Sequence, residues 1–261
     1  MIFCFVLHQG KMKVKKKNKL KGCLQTTNEK RTTSNEQRTS TNNNQRTTKN
    51  EQRKTNMYNY QKTTNWLESK GKQLFGDHFK IYEEDKTIIY KLIAYSLQDQ
   101  KMVKRCNINL EKGILLSGPI GCGKTALMSL LKFLVPKENK YYVKSCREVS
   151  FEFIKEGYDV IHKYSKPRVH QSKVGAICFD DLGTESNLKY FGNECNVMGE
   201  ILLSRYDGFS YQNNARKTMT HLTTNLSASE IEQFYGNRIR SRLRESFNLI
   251  AFPNNTKDKR K

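Results

Sequence analysis

The sequence is short of negative charge. Against 47 Lys and Arg stand 25 Asp and Glu, a formal net charge of +22 over 261 residues. Half of it, +11, sits on residues 1–56 (14 Lys and Arg, 3 Asp and Glu), so residues 57–261 are basic in their own right. A basic surface favours a polyanionic partner such as nucleic acid. Long apolar runs are missing too: none approaches the ~20 residues that span a bilayer. The apolar start, Met1 to Leu7, is short and its lysines follow it, the reverse of a signal peptide. The expectation is a cytoplasmic chain with no membrane partner. Among the seven cysteines no pair has CxxC spacing, which argues against a zinc site, and the odd, scattered set reads as free thiols in a reducing compartment. None of the five histidines sits in a metal-ligand spacing.

Apolar residues are absent from most of the first segment as well. Residues 27–55 repeat a polar unit imperfectly, as in Asn35-Glu36-Gln37-Arg38-Thr39-Ser40 and Asn50-Glu51-Gln52-Arg53-Lys54-Thr55. Such a stretch cannot bury enough surface to offset its ordering entropy, so residues 1–56 are expected to be a disordered basic tail. Three readings stay open for it: a basic arm that scans nucleic acid, an extension without function, or sequence upstream of a true start at Met57.

From residue 57 the pattern changes. Residues 57–111 look helical and small, with Trp66, Leu67 and Phe75 marking one short helix. Ile88, Ile89, Leu92, Ile93 and Leu97 recur at helical spacing in a second. This region is either a helical lead-in that packs on the next domain or a partner-docking element. Residues 112–252 then alternate. Strands are expected at Gly113–Ser117, Tyr141–Ser145, 176–180, 219–224 and 248–252. Helices are expected at 125–134, 148–163, 196–206, 228–235 and 237–246. That alternation predicts an α/β fold, a five-stranded parallel sheet covered by helices on both faces. Residues 253–261 are left as a basic C-terminal tail, and no C-terminal lid domain is expected.

Four short stretches carry the chemistry. Gly118-Pro119-Ile120-Gly121-Cys122-Gly123-Lys124-Thr125 follows the apolar Ile114-Leu115-Leu116 and opens the helix that begins Ala126-Leu127-Met128. Glycines let backbone N–H groups turn inward on a phosphate chain, Lys124 meets the β- and γ-phosphates, and the Thr125 hydroxyl ligates Mg²⁺. This is a Walker A loop, a binding site for ATP with Mg²⁺, with contacts expected from residues 118 to 126. Cys122 within it reads as a tolerated small residue.

Ala176-Ile177-Cys178-Phe179-Asp180-Asp181 sets paired acids at the carboxyl end of a central strand, the edge at which such sheets bind ligands. Asp180 fits the Walker B role on Mg²⁺. Asp181 would orient the attacking water, with Glu185 a weaker candidate for that task. Asp181 is one methylene shorter than the usual Glu, so hydrolysis is expected to be slow. Asn225, ending Thr220-His221-Leu222-Thr223-Thr224-Asn225, either hydrogen-bonds the γ-phosphate or lytic water, or caps the helix that starts near Ser227.

In Gly236-Asn237-Arg238-Ile239-Arg240-Ser241-Arg242-Leu243-Arg244-Glu245, Ile239, Leu243 and Phe247 form a buried stripe. Arg238 and Arg242 lie along one flank and Arg240 and Arg244 along the other. The rows suit a neighbouring subunit's ATP, nucleic acid, or plain solvent. A further basic group, Lys163, Lys166, Arg168, His170 and Lys173, is either a solvated loop or a contact to a phosphate backbone.

Taken in order, GPIGCGKT, AICFDDLGTE, THLTTN and GNRIRSRLRE resemble the AAA+ ATPases of the DnaC/IstB kind, which include replicative-helicase loaders and transposition helpers. The resemblance covers roughly residues 110–252. It implies a nucleotide-switched homo-oligomer that acts on DNA, single-stranded DNA above all, and binds a replicative helicase or a transposase. It further implies Asn225 as sensor 1 and Arg242, with Arg238 beside it, as an arginine finger acting in trans. Residues 57–111 match no pattern of that group, and Asp181 departs from its Glu. The helicase-loader reading therefore competes with a transposition helper, a P-loop small-molecule kinase, and a switch that binds nucleotide without hydrolysing it.

Overall fold

The computed structural model describes residues 59–165, 176–185, 188–190, 193–211 and 219–260. The chain divides into two units, Met1–Met57 and Tyr58–Lys261, and every described residue lies in the second. The expected basic tail, residues 1–56, lies outside the described residues, as do Lys166, Arg168, His170 and Lys173.

The helical lead-in consists of α1 (Tyr60–Phe75), a 3₁₀ turn (Glu83–Asp85), α2 (Lys86–Ser96) and α3 (Gln100–Arg105). Asn59 caps α1 by accepting the Lys62 N–H at 2.9 Å. On α1 only Leu67 is fully buried among the apolar side chains that marked the helix; Trp66 stands 46% exposed. Leu67 joins Ile89, Leu92 and Ile93 of α2 in one core with Leu127 and Leu131 of the next domain's first helix. The lead-in therefore packs on the sheet domain, the first of the two arrangements its periodicity allowed.

Five strands form one parallel sheet: β1 (Gly113–Ser117), β2 (Tyr141–Ser145), β3 (Ala176–Leu182), β6 (Thr220–Thr224) and β7 (Phe247–Ala251), in the order β2-β3-β6-β1-β7. The α/β fold and the five parallel strands expected from the alternation are present. Helices α4 (Lys124–Leu131), α5 (Cys146–Glu156), α6 (Asp159–Ser165), α7 (Val197–Tyr211) and α8 (Ala228–Ser246) connect them. Ile177, Cys178 and Phe179 of β3 are at most 1% exposed, as a strand covered on both faces must be. Apolar side chains of α5, α7 and α8 form a second core with β3 and β6.

The local differences have identifiable causes. The helix expected at 125–134 stops at Leu131, where the bonds tighten to Phe133 N–H on Leu130 O and Leu134 N–H on Leu131 O, ahead of Pro136. The single helix expected at 148–163 is two, α5 and α6, separated at Gly157, whose N–H closes on Phe153 O. The helix expected at 196–206 runs on to Tyr211. Two short antiparallel strands, β4 (Leu188–Tyr190) and β5 (Asn193–Cys195), were not foreseen. The two helices expected at 228–235 and 237–246 are present as the two halves of α8, parted at Gly236, whose φ of 83° and ψ of 163° are not helical. Among the described residues, no helix is long and apolar enough to cross a membrane. Five described cysteines, Cys106, Cys122, Cys146, Cys178 and Cys195, are free thiols.

Candidate nucleotide site

Three of the four stretches meet at the carboxyl ends of β1, β3 and β6, the edge where open α/β sheets bind ligands, whereas the fourth, on α8, runs to the amino ends of the strands, where Arg242 lies with Gly113, Thr220 and Phe247. β1 runs into the glycine loop, and the loop runs into α4 at Lys124. Gly121 and Gly123 have φ of 79° and 97°, turns that a side chain would strain. A Cβ built on Gly123 meets nothing within 4 Å, so the loop opens on free space there. Loop N–H groups beside that space, at the start of α4, suit an anion.

Lys124 is 5% exposed. Its ammonium donates to Gly118 O and Pro119 O, each at 2.9 Å, and to Asn225 Oδ1 at 2.5 Å. The last contact ties the loop to the end of β6, where β6 runs beside β1 (Ser117 opposite Thr224). Asn225 is exposed and does not cap α8. Ser227 does: its hydroxyl accepts the Glu230 N–H and the Glu230 side chain accepts the Ser227 N–H, a complete capping box. Of the two roles left open for Asn225, the cap is therefore taken by another residue.

Thr125 and Asp180 form the polar floor. The Thr125 hydroxyl lies 3.0 and 2.9 Å from the two Asp180 carboxylate oxygens. Thr223 donates to Asp180 Oδ1 at 2.7 Å and accepts the Asp181 N–H at 2.9 Å. Burial pushes the Asp180 carboxyl up, against the pull of the Thr223 and Thr125 hydroxyls; the charge of Asp181 also raises it, and that of Lys124 lowers it. A cation against these hard oxygens would offset the cost of keeping that carboxylate ionised. The donor set of Thr125 and Asp180 fits Mg²⁺, and the open glycine loop with Lys124 fits a polyphosphate.

The register between β3 and β6 shifts between Phe179 and Leu182, which puts an irregularity at the two acids. Asp181 takes a left-handed backbone, φ 56°, uncommon for a side-chain-bearing residue. Among the described residues its carboxylate has no hydrogen-bond or ion-pair partner. Glu185 differs: Oε2 accepts the Gly183 N–H at 3.0 Å and Oε1 accepts the Tyr235 hydroxyl. Of the two candidate acids, only Asp181 has its carboxylate available.

The arginines of α8 are not equivalent. Arg242 stacks on the Tyr206 ring of α7, 4.2 Å from its centroid, and donates to the Tyr206 hydroxyl at 2.7 Å. The same hydroxyl donates to Glu245. Arg240 pairs with Glu232 at 2.5 Å on its own helix. Arg238 and Arg244 are exposed. Arg238, Arg242, Asn237 and Ser241 line an open groove of about 490 Å³. Of the remaining basic group, Lys163 is bound to Glu152 at 2.9 Å and Glu156 at 3.5 Å, a structural role.

Sequence reasoning missed Thr223, which holds both acids, Tyr206, which holds Arg242, and Tyr235, which holds Glu185. Hydroxyl residues carry no spacing signal of their own. It also missed a cavity of about 190 Å³ on the far side of the glycine loop, lined by Phe75, Phe79, Ile81, Gly121 and Leu127 among others.

No protein-family model matches the chain. Over 131 residues, 48% of its length, it is 29% identical to the proteasome-activating nucleotidase of Thermococcus onnurineus (strain NA1). It spans about a third of that relative, 32%. Among solved structures it is similar to a candidate primosome component from Streptococcus pyogenes serotype M3, at 15% identity and a TM-score of 0.45, over 68% of this chain and 85% of that one. It is likewise similar to the DnaC helicase loader, at 19% identity and a TM-score of 0.45, over 68% of this chain and 95% of that one.

Proposed function

We propose that this chain is an AAA+ ATPase of the DnaC kind, which binds ATP with Mg²⁺, hydrolyses it slowly and acts on DNA as a loader of a replicative helicase. The observation that carries the reading is the meeting of Lys124, the Thr125–Asp180 pair and Asn225 at one sheet edge, beside a glycine loop open to an anion. Support also comes from the name of the curated relative, a nucleotidase, and from the basic charge of residues 57–261.

The roles follow from chemistry. Lys124 exchanges its loop carbonyls for the β- and γ-phosphates, and the N–H groups of residues 118–126 cradle the chain. Thr125 and Asp180 would hold Mg²⁺, which would supply neutralisation of phosphate charge. Asp181, its carboxylate without a partner, orients the attacking water. Asn225, already in contact with Lys124, senses which phosphates occupy the loop. Arg242 and Arg238 face the groove at the α8 surface and act on the ATP of a neighbouring copy in a homo-oligomer. For that, Arg242 leaves Tyr206 and Glu245, so the finger works only after assembly.

The test is ATP turnover of the full chain with and without single-stranded DNA, beside Arg242→Ala. The reading expects DNA to raise turnover and the variant to abolish the rise while ATP still binds. Turnover that ignores DNA and survives Arg242→Ala would remove both the trans finger and the DNA role. A second reading, a switch with tight binding and no measurable turnover, is favoured by the short Asp181 at the position of the usual Glu; it predicts binding with no phosphate release under either condition. Co-purification with a transposase instead of a hexameric helicase would turn the reading to a transposition helper.

A further inference from the structure

The residues beyond β7 were expected to be no more than a basic tail, and they are built into the molecule. Phe252 N–H donates to Ser117 O at 2.8 Å, where β1 enters the glycine loop. After a turn closed by Thr256 N–H on Pro253 O, the chain comes back to the loop, and Lys259 N–H donates to Gly121 O at 3.0 Å. The Asp258 carboxyl packs so closely on Gly121 that a Cβ there would overlap it. The Lys259 ammonium is ion-paired to Asp85, at the start of α2, with side chains 12% and 7% exposed. It also lies over the rings of Tyr82 (5.2 Å) and Phe252 (5.3 Å). An ion pair buried this deeply recovers its desolvation cost only where the geometry is well satisfied. Here it ties residues 253–260 to the helical lead-in, and both partners line the cavity between them.

That cavity, about 190 Å³, is lined by Phe75, Phe79, Ile81 and Leu127, by Lys259 and Arg260, and by Gly121 of the glycine loop. Its lining is mostly apolar and aromatic, with Lys80, Asp85, Lys259 and Arg260 as charged groups, and it adjoins the glycine loop, so it suits a flat heteroaromatic ring attached to a phosphate chain. We infer that residues 253–260 form a clasp over the nucleobase side of the site, latched by Lys259 on Asp85, so that affinity for the nucleoside part of ATP depends on the end of the chain. This rests on the nucleotide reading above and adds to it a group that closes on the ligand.

The latch predicts a separation between base and phosphates. The full chain, Lys259→Met, Lys259→Arg and Asp85→Asn are titrated calorimetrically with Mg²⁺ and either ATP or inorganic tripolyphosphate, which has no base. Hydrogen exchange of residues 253–260 is followed in parallel. Lys259→Met should weaken ATP about tenfold, the equivalent of roughly 1.4 kcal/mol, and leave tripolyphosphate within about twofold on the same scale. Lys259→Arg should restore ATP binding, and ATP should slow exchange of residues 253–260 in the unaltered chain. Equal losses for both ligands would overturn the clasp and leave the segment a mere brace for the loop. Unchanged or tighter ATP binding by Lys259→Met would overturn it as well, since the segment would then be a bystander or a plug. Should Asp85→Asn fail to fold, the Lys259 pair decides. If the unaltered chain binds neither ligand, the nucleotide reading itself falls; if it binds ATP and the variants match it, only the clasp does.

Discussion

The two sides of the glycine loop are built by different means. On the inner side polar groups meet within a few residues of three parallel strand ends: Lys124 on Asn225, Thr125 on Asp180, Thr223 on both Asp180 and the Asp181 N–H. On the outer side the walls come from residues far apart in the chain, Phe75 at the end of α1, Phe79 after it, Asp85 before α2, and Lys259. On the proposed reading the inner side would need fixed donors and acceptors for charged phosphate and cation, which strand register supplies. The outer side needs only apolar enclosure, which any elements packed nearby can provide. Chemistry constrains the first to a recognisable string and leaves the second free in sequence.

Variants can test how unequal the two sides are. On the inner side the largest effect is expected from Asp180→Asn. It keeps the shape and removes the charge that would face Mg²⁺, so turnover should fall roughly 10²–10³-fold, the scale of losing one preorganised electrostatic group. Steady-state phosphate release measures it, and a fall of less than tenfold would move the metal role elsewhere. Thr223→Val should do less. It removes one hydroxyl bonded to the Asp180 carboxylate and to the Asp181 N–H, a loss of about 1–3 kcal/mol of stability by denaturant titration, with turnover reduced but measurable. If Thr223→Val equals Asp180→Asn in turnover, the hydroxyl has a direct part in the chemistry.

A smaller effect, independent of ligand, comes from the sheet beneath the site. His221 is 3% exposed; its Nδ1 accepts the Ile114 N–H at 3.1 Å, and it packs on Tyr141. Burial, helped by the charge of Arg205, lowers its pKa from 6.5 to about 3. The folded pKa lies below the unfolded one, so between these values the unfolded chain binds the extra proton. The contribution is full above pH 6.5 and is lost as pH falls toward 3. From pH 6.5 to 5 it should cost roughly 2 kcal/mol, at about 1.4 kcal/mol per pH unit. Glu152, held low at about 2 by Lys144, Lys163 and Tyr164 against the opposing cost of burial, loses its share only below its ordinary value of 4.5. Chemical denaturation across pH 5–7 therefore isolates His221, and a flat profile there would mean that the ring protonates in the folded protein.

Much of this was legible beforehand where the signal was local. Five strands and the glycine loop were readable because apolar runs such as Ile114-Leu115-Leu116 and Ile177-Cys178-Phe179 are bounded by residues with one structural use. Gly157 and Gly236 were weaker cues: the first divided a helix that periodicity alone had joined, and the second kinked α8 at the point where two helices were expected to part. The role of Asn225 stayed divided because a helix cap and a phosphate contact ask for the same residue type; the capping box of Ser227 and Glu230 takes the cap and leaves the phosphate contact as a proposal. Thr223, Tyr206 and Tyr235 were invisible because hydroxyl partners are chosen by three-dimensional proximity. The end of the chain was misjudged for the same reason: Lys259 is one basic residue among several until Asp85, 174 positions away, is seen to face it.

The central claim is that the loop from Gly118 to Thr125 holds the phosphates of ATP through Lys124. Titration calorimetry of Mg²⁺ and ATP into the full chain and into Lys124→Ala tests it most directly. The account predicts saturable binding at one site per chain and its loss by roughly 10²-fold or more in the variant, where the charge facing the phosphates is gone. Equal binding by both proteins, or none by either, would contradict it.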